Sequence, residues 1–321
     1  MFQSIWEDIK QAFRHGNMVT RLMLINGVVF VAVNLVKLFM VIFGGFQLDA
    51  HERFVRFMKF FSLSSDLLFD ITHPWVIFTS MFLHENLLHA LFNILFLMWF
   101  GRIVADLIGD RRLLPLYLLS GLAGGFLYLA TAHWIYKDGG YAYGASGAVM
   151  GIVVAAGVLA PDYLIRLIII GDVRLKYIVI FLLLLDIIGL ANMSNTGGHI
   201  AHLGGAAMGF FFIRQLQVGQ DWSKPVNQLL DHIGDFFLRL FGGGKGNRPK
   251  VVYRSPDLKK EREKVQSAGG KGWGQRKGGS ATDQSHQERL DAILDKIKQS
   301  GYESLTAEEK EFLFNASKKR E

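Results

Sequence analysis

The chain has 321 residues, of which 50% are hydrophobic and 13% aromatic, and it carries a formal net charge of +7. It has no cysteine, which excludes disulfides, thiolate metal sites and a cysteine nucleophile. Several apolar runs approach or exceed the roughly 20 residues that cross a bilayer core, so the composition indicates a polytopic membrane protein with a soluble appendix. Basic segments of such a protein mark cytoplasmic loops more often than nucleic-acid sites, and we expect no nucleic-acid partner.

Residues 1–19 predict an amphipathic helix. Their apolar side chains recur at helical spacing, at Phe2, Ile5, Trp6, Ile9 and Phe13. This pattern fits a helix that lies on the membrane surface and also fits an ordinary amphipathic helix of a soluble protein. A membrane span follows at once, and we expect the interfacial helix, without a cleavable signal peptide.

Residues 20–217 predict six membrane-spanning helices. The apolar runs lie near residues 22–43, 76–100, 113–135, 146–160, 175–190 and 200–216. An even number of spans places both termini on one side, and the distribution of lysine and arginine assigns that side to the cytoplasm. We therefore expect a multi-pass protein of the inner cell membrane with both termini cytoplasmic. The long loop 44–74 is too apolar for a free aqueous loop and is predicted to lie half-sunk in the outer interface, and residues 161–178 to form an interfacial turn.

The region after the sixth span is predicted to contain little ordered structure before its end. Residues 218–280 combine an amphipathic segment, "VNQLLDHIGDFFLRLF", with a basic, glycine-rich linker that we expect to be disordered. Residues 281–321 predict a small cytosolic helical hairpin, in which Gly301 ends one helix and a capping box of Thr306 and Glu309 begins the next. This hairpin is too small to be an independent enzyme.

Polar residues of the predicted bundle gather at one depth. They occur where spans two, four and six begin, and they are His84, His89, Asn93, Ser146, His199 and His202. These three spans run inward from the outer side, so their first turns lie in one layer near the outer face. Because polar groups are costly inside a membrane, each of these residues is a candidate functional residue.

The spacing within this layer predicts which residues meet. His89 and Asn93 are four apart and share one face of span two. Glycines four apart form close-packing faces on span four, at 147 and 151, and on span six, at 205 and 209. If these faces meet, His202 lies beside Ser146, and a serine with a neutral histidine is the minimum for nucleophilic catalysis. Singly, a buried serine more often bonds its own backbone and glycine faces more often only pack.

A metal site is the competing interpretation of the histidines. The segment "HENLLH" separates its histidines by five residues, about 140° around a helix, and thus lacks the spacing of zinc proteases. His199 and His202 could share a metal, but we expect no acidic third ligand in their layer except Glu85 or the loop acids. Asp186, in the predicted fifth span, is interpreted as a helix-packing group or part of a gate. We expect no metal and no cofactor.

Three motifs resemble those of a known family. In this order, "HENLLHALFN", "GASGAVMG" and "AHLGGAAMG" resemble the signature of the rhomboid family of intramembrane serine proteases, and the resemblance covers about residues 20–217. It implies an all-α membrane protein, a six-helix bundle. It also implies a serine endopeptidase that cuts transmembrane segments of other membrane proteins near their outer end. The expected partners are these substrates and the lipid bilayer, and the oligomeric state is left open.

The resemblance also implies roles for individual residues. Ser146 falls on the nucleophile, and His202 on the base, because glycines follow it at the family's spacing of three and seven. His89 and Asn93 fall on the oxyanion-binding pair, and His84 on a loop-side histidine. His84 and His199 are the candidates for a water-side or loop-side role. No acid is expected to orient the base, so a dyad of Ser146 and His202 must suffice.

Two positions depart from the family pattern. Met150 stands where an aromatic residue commonly stacks on the catalytic histidine, and a methionine can also pack against a ring, so we expect reduced rigidity rather than lost activity. Ala105 stands where an acidic residue is common, with Asp106 next to it.

Two further function classes compete with a protease. One is a catalytically inactive rhomboid-like protein that binds membrane helices, although such relatives generally lose the serine or the histidine. The other is a transporter with a histidine proton relay, which would place charged residues through the whole membrane depth. Here the polar residues crowd into one layer, which favours the protease.

Overall fold

The computed structural model describes residues 2–43, 48–84, 86–135, 140–167, 170–240, 293, 296, 305–306 and 308–312. The chain divides into two compact units, Met1–Gly246 and Asn247–Glu321. The first unit contains the helical bundle, and the second contains the few described residues near the C-terminus.

The first unit is built from helices with two small pairs of strands. The helices are α1 (Phe2–His15), α2 (Met18–Phe43), α3 (Leu48–Phe60), α4 (Leu67–Thr72), α5 (Val76–Thr79), α6 (Leu87–Ile108), α7 (Leu113–Ile135), α8 (Ser146–Leu159), α9 (Leu175–Ala191), α10 (Thr196–Gln217) and α11 (Ser223–Leu240). The strands are β1 (Leu63–Ser64), β2 (Tyr141–Ala142), β3 (Leu164–Leu167) and β4 (Gly171–Arg174). The predicted helical membrane fold is confirmed.

Three described stretches are long and apolar enough to cross a membrane, namely Met18–Phe43, Leu87–Ile108 and Asp110–Ala132. The chain is therefore a multi-pass membrane protein. Helix α8 is equally apolar but shorter. Together, α2 and α6 to α10 occupy the six regions in which the sequence predicts spans.

Helix α8 lies at the centre of the bundle. All its residues from Gly147 to Ala156 are buried, and it contacts α6, α7, α9 and α10. The sequence "SGAVMGIVVAAGVL" has no polar face after its first residue, as expected for a helix that is surrounded by other helices. The first residue of this central helix is Ser146.

Two helix starts differ from the prediction. The second long helix begins at Leu87 rather than near residue 76, because the Asn86 side chain caps it by accepting the His89 N–H at 2.9 Å. Residues before it form the short helix α5 and a 3-10 turn, Ser80–Phe82. The last helix of the bundle begins at Thr196, one turn earlier than predicted.

The segment between α2 and α6 folds against the loop that precedes α8. Strand β1 pairs antiparallel with β2, with Leu63 opposite Ala142. The Thr79 hydroxyl donates to the Phe61 carbonyl at 2.8 Å, which ties the residues before β1 to the end of α5. Apolar side chains of α4 remain exposed, at Leu67, Leu68 and Ile71. Such exposure fits the predicted burial in the membrane interface.

The predicted turn between the fourth and fifth spans is a β-hairpin. Strands β3 and β4 pair antiparallel, with Leu164 opposite Arg174 and Leu167 opposite Gly171. Gly171 has a φ of 87°, a conformation that glycine adopts without steric cost.

Three chain segments meet at the end of the bundle where α6 ends and α7 begins. The Met18 N–H at the start of α2 donates to Asp110 at 2.7 Å. Arg112, two residues further on, pairs with Asp221 at 2.9 Å just before α11. The start of α2, the α6–α7 connection and the start of α11 therefore lie at the same end.

The described residues of the second unit include the predicted capping box. The Glu309 N–H donates to the Thr306 hydroxyl at 3.3 Å, and the Thr306 N–H donates to the Glu309 carboxylate at 2.8 Å. Lys296 pairs with the same carboxylate at 2.9 Å. The capping box is confirmed, whereas the predicted disordered linker and most of the predicted hairpin lie outside the described residues.

Candidate active site

Ser146 is the first residue of α8 and lines a cavity of about 440 Å³. The first backbone hydrogen bond at this end of the helix runs from the Val149 N–H to the Ala145 carbonyl. The N–H groups of residues 146–148 therefore have no acceptor within the helix, and all three residues line the cavity. A helix N-terminus presents partial positive charge to whatever occupies such a space.

The loop before Ser146 requires a glycine at position 144. Gly144 has a φ of 143°, and its N–H donates to the Ser80 carbonyl at 2.8 Å. A Cβ at this position would lie 3.3 Å from both the Ser146 hydroxyl and the His89 Nε2. The absence of a side chain here keeps the space between the serine and this histidine open.

Helix α6 contributes two polar side chains to the same cavity. His89 and Asn93 both line it, one helical turn apart. The Asn93 amide donates one hydrogen to the His89 carbonyl at 2.8 Å. An amide NH₂ carries a second hydrogen, so Asn93 can also donate to a group inside the cavity.

Helix α10 lies on α8 with direct backbone contact. A Cβ on Gly205 would overlap the Gly147 carbonyl oxygen, and a Cβ on Gly209 would overlap the Gly151 carbonyl oxygen. The two glycine faces therefore meet, as the spacing predicts. His202, one turn before Gly205, lines the cavity that also contains Ser146.

An acid lies against the candidate base, contrary to the sequence-based expectation. Asp186 on α9 is 3% exposed, and its Oδ1 is 2.7 Å from the Nδ1 of His202 and 2.7 Å from the Nδ1 of His199. A carboxylate only accepts hydrogen bonds, so both imidazoles donate from Nδ1. The expectation that no acid orients His202 is wrong, and so is the expectation of no acidic group in this layer other than Glu85 or the loop acids.

The sequence contains a signal for this contact. Helices α9 and α10 are antiparallel neighbours joined by only four residues, 192–195. Positions at equal distance from the middle of that connection face each other, which places Asp186 opposite the segment from His199 to His202. Gly189 completes the fit, because a Cβ there would overlap the His199 ring.

The two remaining histidines do not line the cavity. His84 is 2% exposed, donates from Nδ1 to the Phe82 carbonyl at 3.1 Å, and packs edge-on to His89 with ring centres 5.4 Å apart. The His84 ring therefore packs against the His89 ring without lining the cavity itself. His199 lies on α10 between lining residues 198 and 201, but it does not line the cavity and contacts Asp186 instead. The predicted layer therefore separates into four residues in the cavity and two beside it.

The structure also shows the surroundings of the two residues that depart from the family pattern, Met150 and Ala105. Met150 is buried and lines the cavity one turn after Ser146. The Ala105 carbonyl accepts the Gly109 N–H at 2.9 Å and thereby ends α6.

Comparison with known proteins assigns the chain to a family. The Rhomboid domain matches residues 72–216, the region that contains all of the cavity residues named above. Residues 72–216 therefore form a rhomboid domain. A second model, a family of unknown function (DUF6576), matches residues 282–319.

Relatives of this rhomboid come from bacteria and from mitochondria. Rhomboid protease AarA of Providencia stuartii is 31% identical over 40% of this chain and 51% of its own length. Rhomboid protein 1, mitochondrial, of Saccharomyces cerevisiae is 30% identical over 53% of this chain and 49% of its own. Presenilin-associated rhomboid-like protein A, mitochondrial, of Danio rerio is 28% identical over 42% of this chain and 35% of its own.

The matches cover only part of each relative, and this limits which properties of the relatives apply to the chain. The rhomboid spans about a third to a half of the length of these three relatives. The family is one of intramembrane proteases that act on transmembrane substrates within the bilayer. Relatives in this family include mitochondrial proteins, so the match does not fix the inner cell membrane that the sequence predicts.

Proposed function

We propose that this rhomboid is a serine endopeptidase that cleaves transmembrane segments of other membrane proteins near their outer end. Ser146 is the nucleophile and His202 the base. The observation that carries the proposal is that both residues line one cavity, with Ser146 at the N-terminus of a buried helix. A hydroxyl, an imidazole and unpaired backbone donors at a common space are the parts that acyl transfer requires.

Hydrolysis proceeds in two steps at this cavity. His202 accepts the Ser146 hydroxyl proton at Nε2, and the serine oxygen attacks the scissile carbonyl. The same imidazole then donates that proton to the leaving amine. In the second step His202 takes a proton from water, which attacks the acyl-serine. The ester bond to Ser146 breaks, the imidazolium returns the proton to the serine oxygen, and the new carboxyl terminus is released.

The negative charge that develops on the carbonyl oxygen is stabilised by three donors. These are the Ser146 N–H, the His89 side chain and the second amide hydrogen of Asn93. The partial positive charge of the α8 N-terminus adds to them. Removal of one such donor typically costs about 3–4 kcal/mol of transition-state stabilisation.

The proposed topology places both termini in the cytoplasm of a cell whose inner membrane holds the protein. The start of α2 and the start of α11 meet at one end of the bundle through Asp110 and the Arg112–Asp221 pair. Basic side chains concentrate in the connections at this end, which favours its cytoplasmic placement. The cavity, bounded by the first turns of α6 and α8, then lies toward the outer face.

The decisive experiment compares cleavage of a model transmembrane substrate by purified variants. Ser146→Ala and His202→Ala are each expected to reduce cleavage to background, and the double variant to be no worse, because the pair acts as a unit. His232→Ala is the matched control, since this exposed histidine of α11 does not line the cavity and donates to the Gln228 carbonyl. Wild-type protein that binds the substrate without cleaving it would instead indicate an inactive membrane-helix-binding protein.

A further inference from the structure

Asp186 occupies a position that a serine–histidine dyad does not need. It is a buried acid on a helix that is apolar after Lys176 and Tyr177 in its first turn, "LKYIVIFLLLLDIIGLA", and burying it there costs free energy unless it is paired. Its pairing is specific, because a single oxygen accepts from both His202 and His199 at 2.7 Å. Helix α8, which also packs on α9, carries no titratable side chain.

We propose that Asp186 is a positioning residue for proteolysis, completing a Ser146–His202–Asp186 triad; this rests on the proposed function. The ionised carboxylate keeps the proton of His202 on Nδ1, which leaves the Nε2 lone pair for the Ser146 hydroxyl. When Nε2 takes the serine proton, the Nδ1–H bond to Asp186 persists, and the carboxylate stabilises the imidazolium. No proton moves to Asp186, and charge balances between the two side chains.

The distances identify hydrogen bonds rather than a metal cluster. Ligand atoms of Asp186, His199 and His202 all lie within 4.8 Å of one another, as they would around an ion. Tetrahedral zinc, with bonds of about 2.0–2.2 Å, holds its ligand atoms roughly 3.3 Å apart. The observed 2.7 Å between each Nδ1 and Oδ1 is shorter than that and equals a charge-assisted hydrogen bond.

His199 has a different part in the same cluster. It donates to the oxygen that also accepts from His202, so it holds the carboxylate in place from the other side. Its ring fits only because position 189 on α9 is a glycine. His199 therefore acts on the base through Asp186, and its loss leaves the Asp186–His202 bond intact.

The Asp186→Asn variant tests the proposal because of the second carboxylate oxygen. Oδ2 is buried and has no hydrogen-bond partner among the described residues. An amide NH₂ in that place would be an unsatisfied buried donor, so the amide turns and presents its N–H groups to the histidines. His202 Nδ1 then becomes an acceptor, and its proton moves to Nε2, which faces the serine.

The expected result is a loss of turnover without a loss of binding. Asp186→Asn is expected to lower kcat for a model transmembrane substrate by about 10²- to 10⁴-fold and to change KM by less than about threefold. Asp186→Glu, which keeps the charge at a slightly different distance, regains part of the lost kcat. His199→Asn loses less than Asp186→Asn. A kcat within about threefold of wild type in a folded Asp186→Asn protein would overturn the proposal.

Nitrogen-15 NMR of histidine-labelled protein provides a readout independent of activity and of any change at Asp186. In the full-length Ser146→Ala protein, His202 is expected to carry its proton on Nδ1, in a strongly hydrogen-bonded state. Detection of the Nε2–H tautomer in this protein would overturn the proposal, even if Asp186→Asn fails to fold. Absence of cleavage by the wild-type protein would refute the proposed function, while the tautomer measurement would still decide the Asp186–His202 contact.

Discussion

Two of the interfaces that helix α10 makes hold it by opposite means. Against α8 it brings glycines into direct backbone contact, because a Cβ on Gly205 or Gly209 would overlap carbonyl oxygens of α8. Against α9 it uses polar side chains, because His199 and His202 both donate to Asp186. The remaining residues of α9 are largely apolar and exposed, among them Ile180, Phe181, Ile187 and Ile188.

The difference shows that a serine nucleophile has two requirements, its distance from the base and the orientation of the base, and that separate interfaces meet them. The glycine interface fixes the distance between the helix that carries Ser146 and the helix that carries His202. A rigid backbone contact does not determine how the imidazole is rotated or which nitrogen carries the proton. The polar interface with α9 fixes both, because an acid on a neighbouring helix selects the donor nitrogen.

Among changes that leave Ser146, His202 and Asp186 in place, breaking the glycine interface is expected to have the largest effect. In Gly205→Ala the added methyl overlaps the Gly147 carbonyl, so α10 must move away from α8. Overpacking of this kind destabilises by about 1–3 kcal/mol, and a displacement of about 1 Å between catalytic groups costs roughly 10²-fold in rate. Thermal unfolding in detergent and cleavage of a model substrate measure the two effects.

The control for this variant is Gly27→Ala on α2. A Cβ at Gly27 meets nothing within 4 Å, and the residue lies in a long apolar helix as Gly205 does. Its activity and melting temperature should remain near those of wild type. Equal losses in both variants would mean that glycine matters for helix flexibility and not for the contact between α8 and α10.

Disturbing the polar interface without removing its acid gives a smaller effect. In Gly189→Ala the methyl overlaps the His199 ring, so that ring must turn away from Asp186. The loss of one hydrogen bond corresponds to about 0.5–1.5 kcal/mol, and kcat should fall roughly two- to tenfold. If this variant were as inactive as His202→Ala, the two histidines would not have the separate parts assigned to them.

Asp70, which lies outside both interfaces, tests whether the segment between α2 and α6 affects stability alone and not cleavage. Its carboxylate is 4% exposed and accepts the Ser64 N–H at 3.0 Å. Burial raises the pKa of Asp70 from 3.8 to about 6, against the opposing effect of that hydrogen bond. The folded state thus binds the proton more tightly than the unfolded state, and stability falls as pH rises from about 4 to 6.

Asp70→Asn keeps an acceptor for Ser64 and removes the ionisation. Its melting temperature relative to wild type should therefore increase as the pH rises from about 4 to 6 and then level off, with cleavage changed little. Asp172→Asn, at an exposed position of β4, provides the control. A constant difference in melting temperature across this pH range would contradict the assignment.

Removal of the C-terminal tail should have the smallest effect. Deleting everything after about Ser280 removes the region that matches the family of unknown function, residues 282–319, and none of the cavity residues. Proteolysis of a detergent-solubilised substrate should stay within about twofold of wild type. A truncated protein that is inserted and monodisperse yet no longer reacts with a serine probe would show that the tail shapes the catalytic core.

Much of the bundle was predictable because it depends on local patterns. Apolar runs located the helices. The glycines that recur four residues apart, after Gly147 on α8 and after Gly205 on α10, predicted that these two helices touch. The start of α6 was misplaced because the Asn86 cap outweighs an apolar run that continues upstream of it. The contact of Asp186 with the two histidines was not predicted because they lie 13 and 16 residues away from it in the sequence. Only the short connection between α9 and α10 brings them together.

Labelling with an alkyl fluorophosphonate tests the central claim most directly, because the reagent reports an activated serine without any substrate. Wild-type protein should acquire one phosphonyl group, which peptide mapping places on Ser146. Both Ser146→Ala and His202→Ala should remain unlabelled while keeping the wild-type melting behaviour. A folded wild-type protein that takes up no reagent, or one whose label lies on another serine, would contradict the assignment of Ser146 and His202.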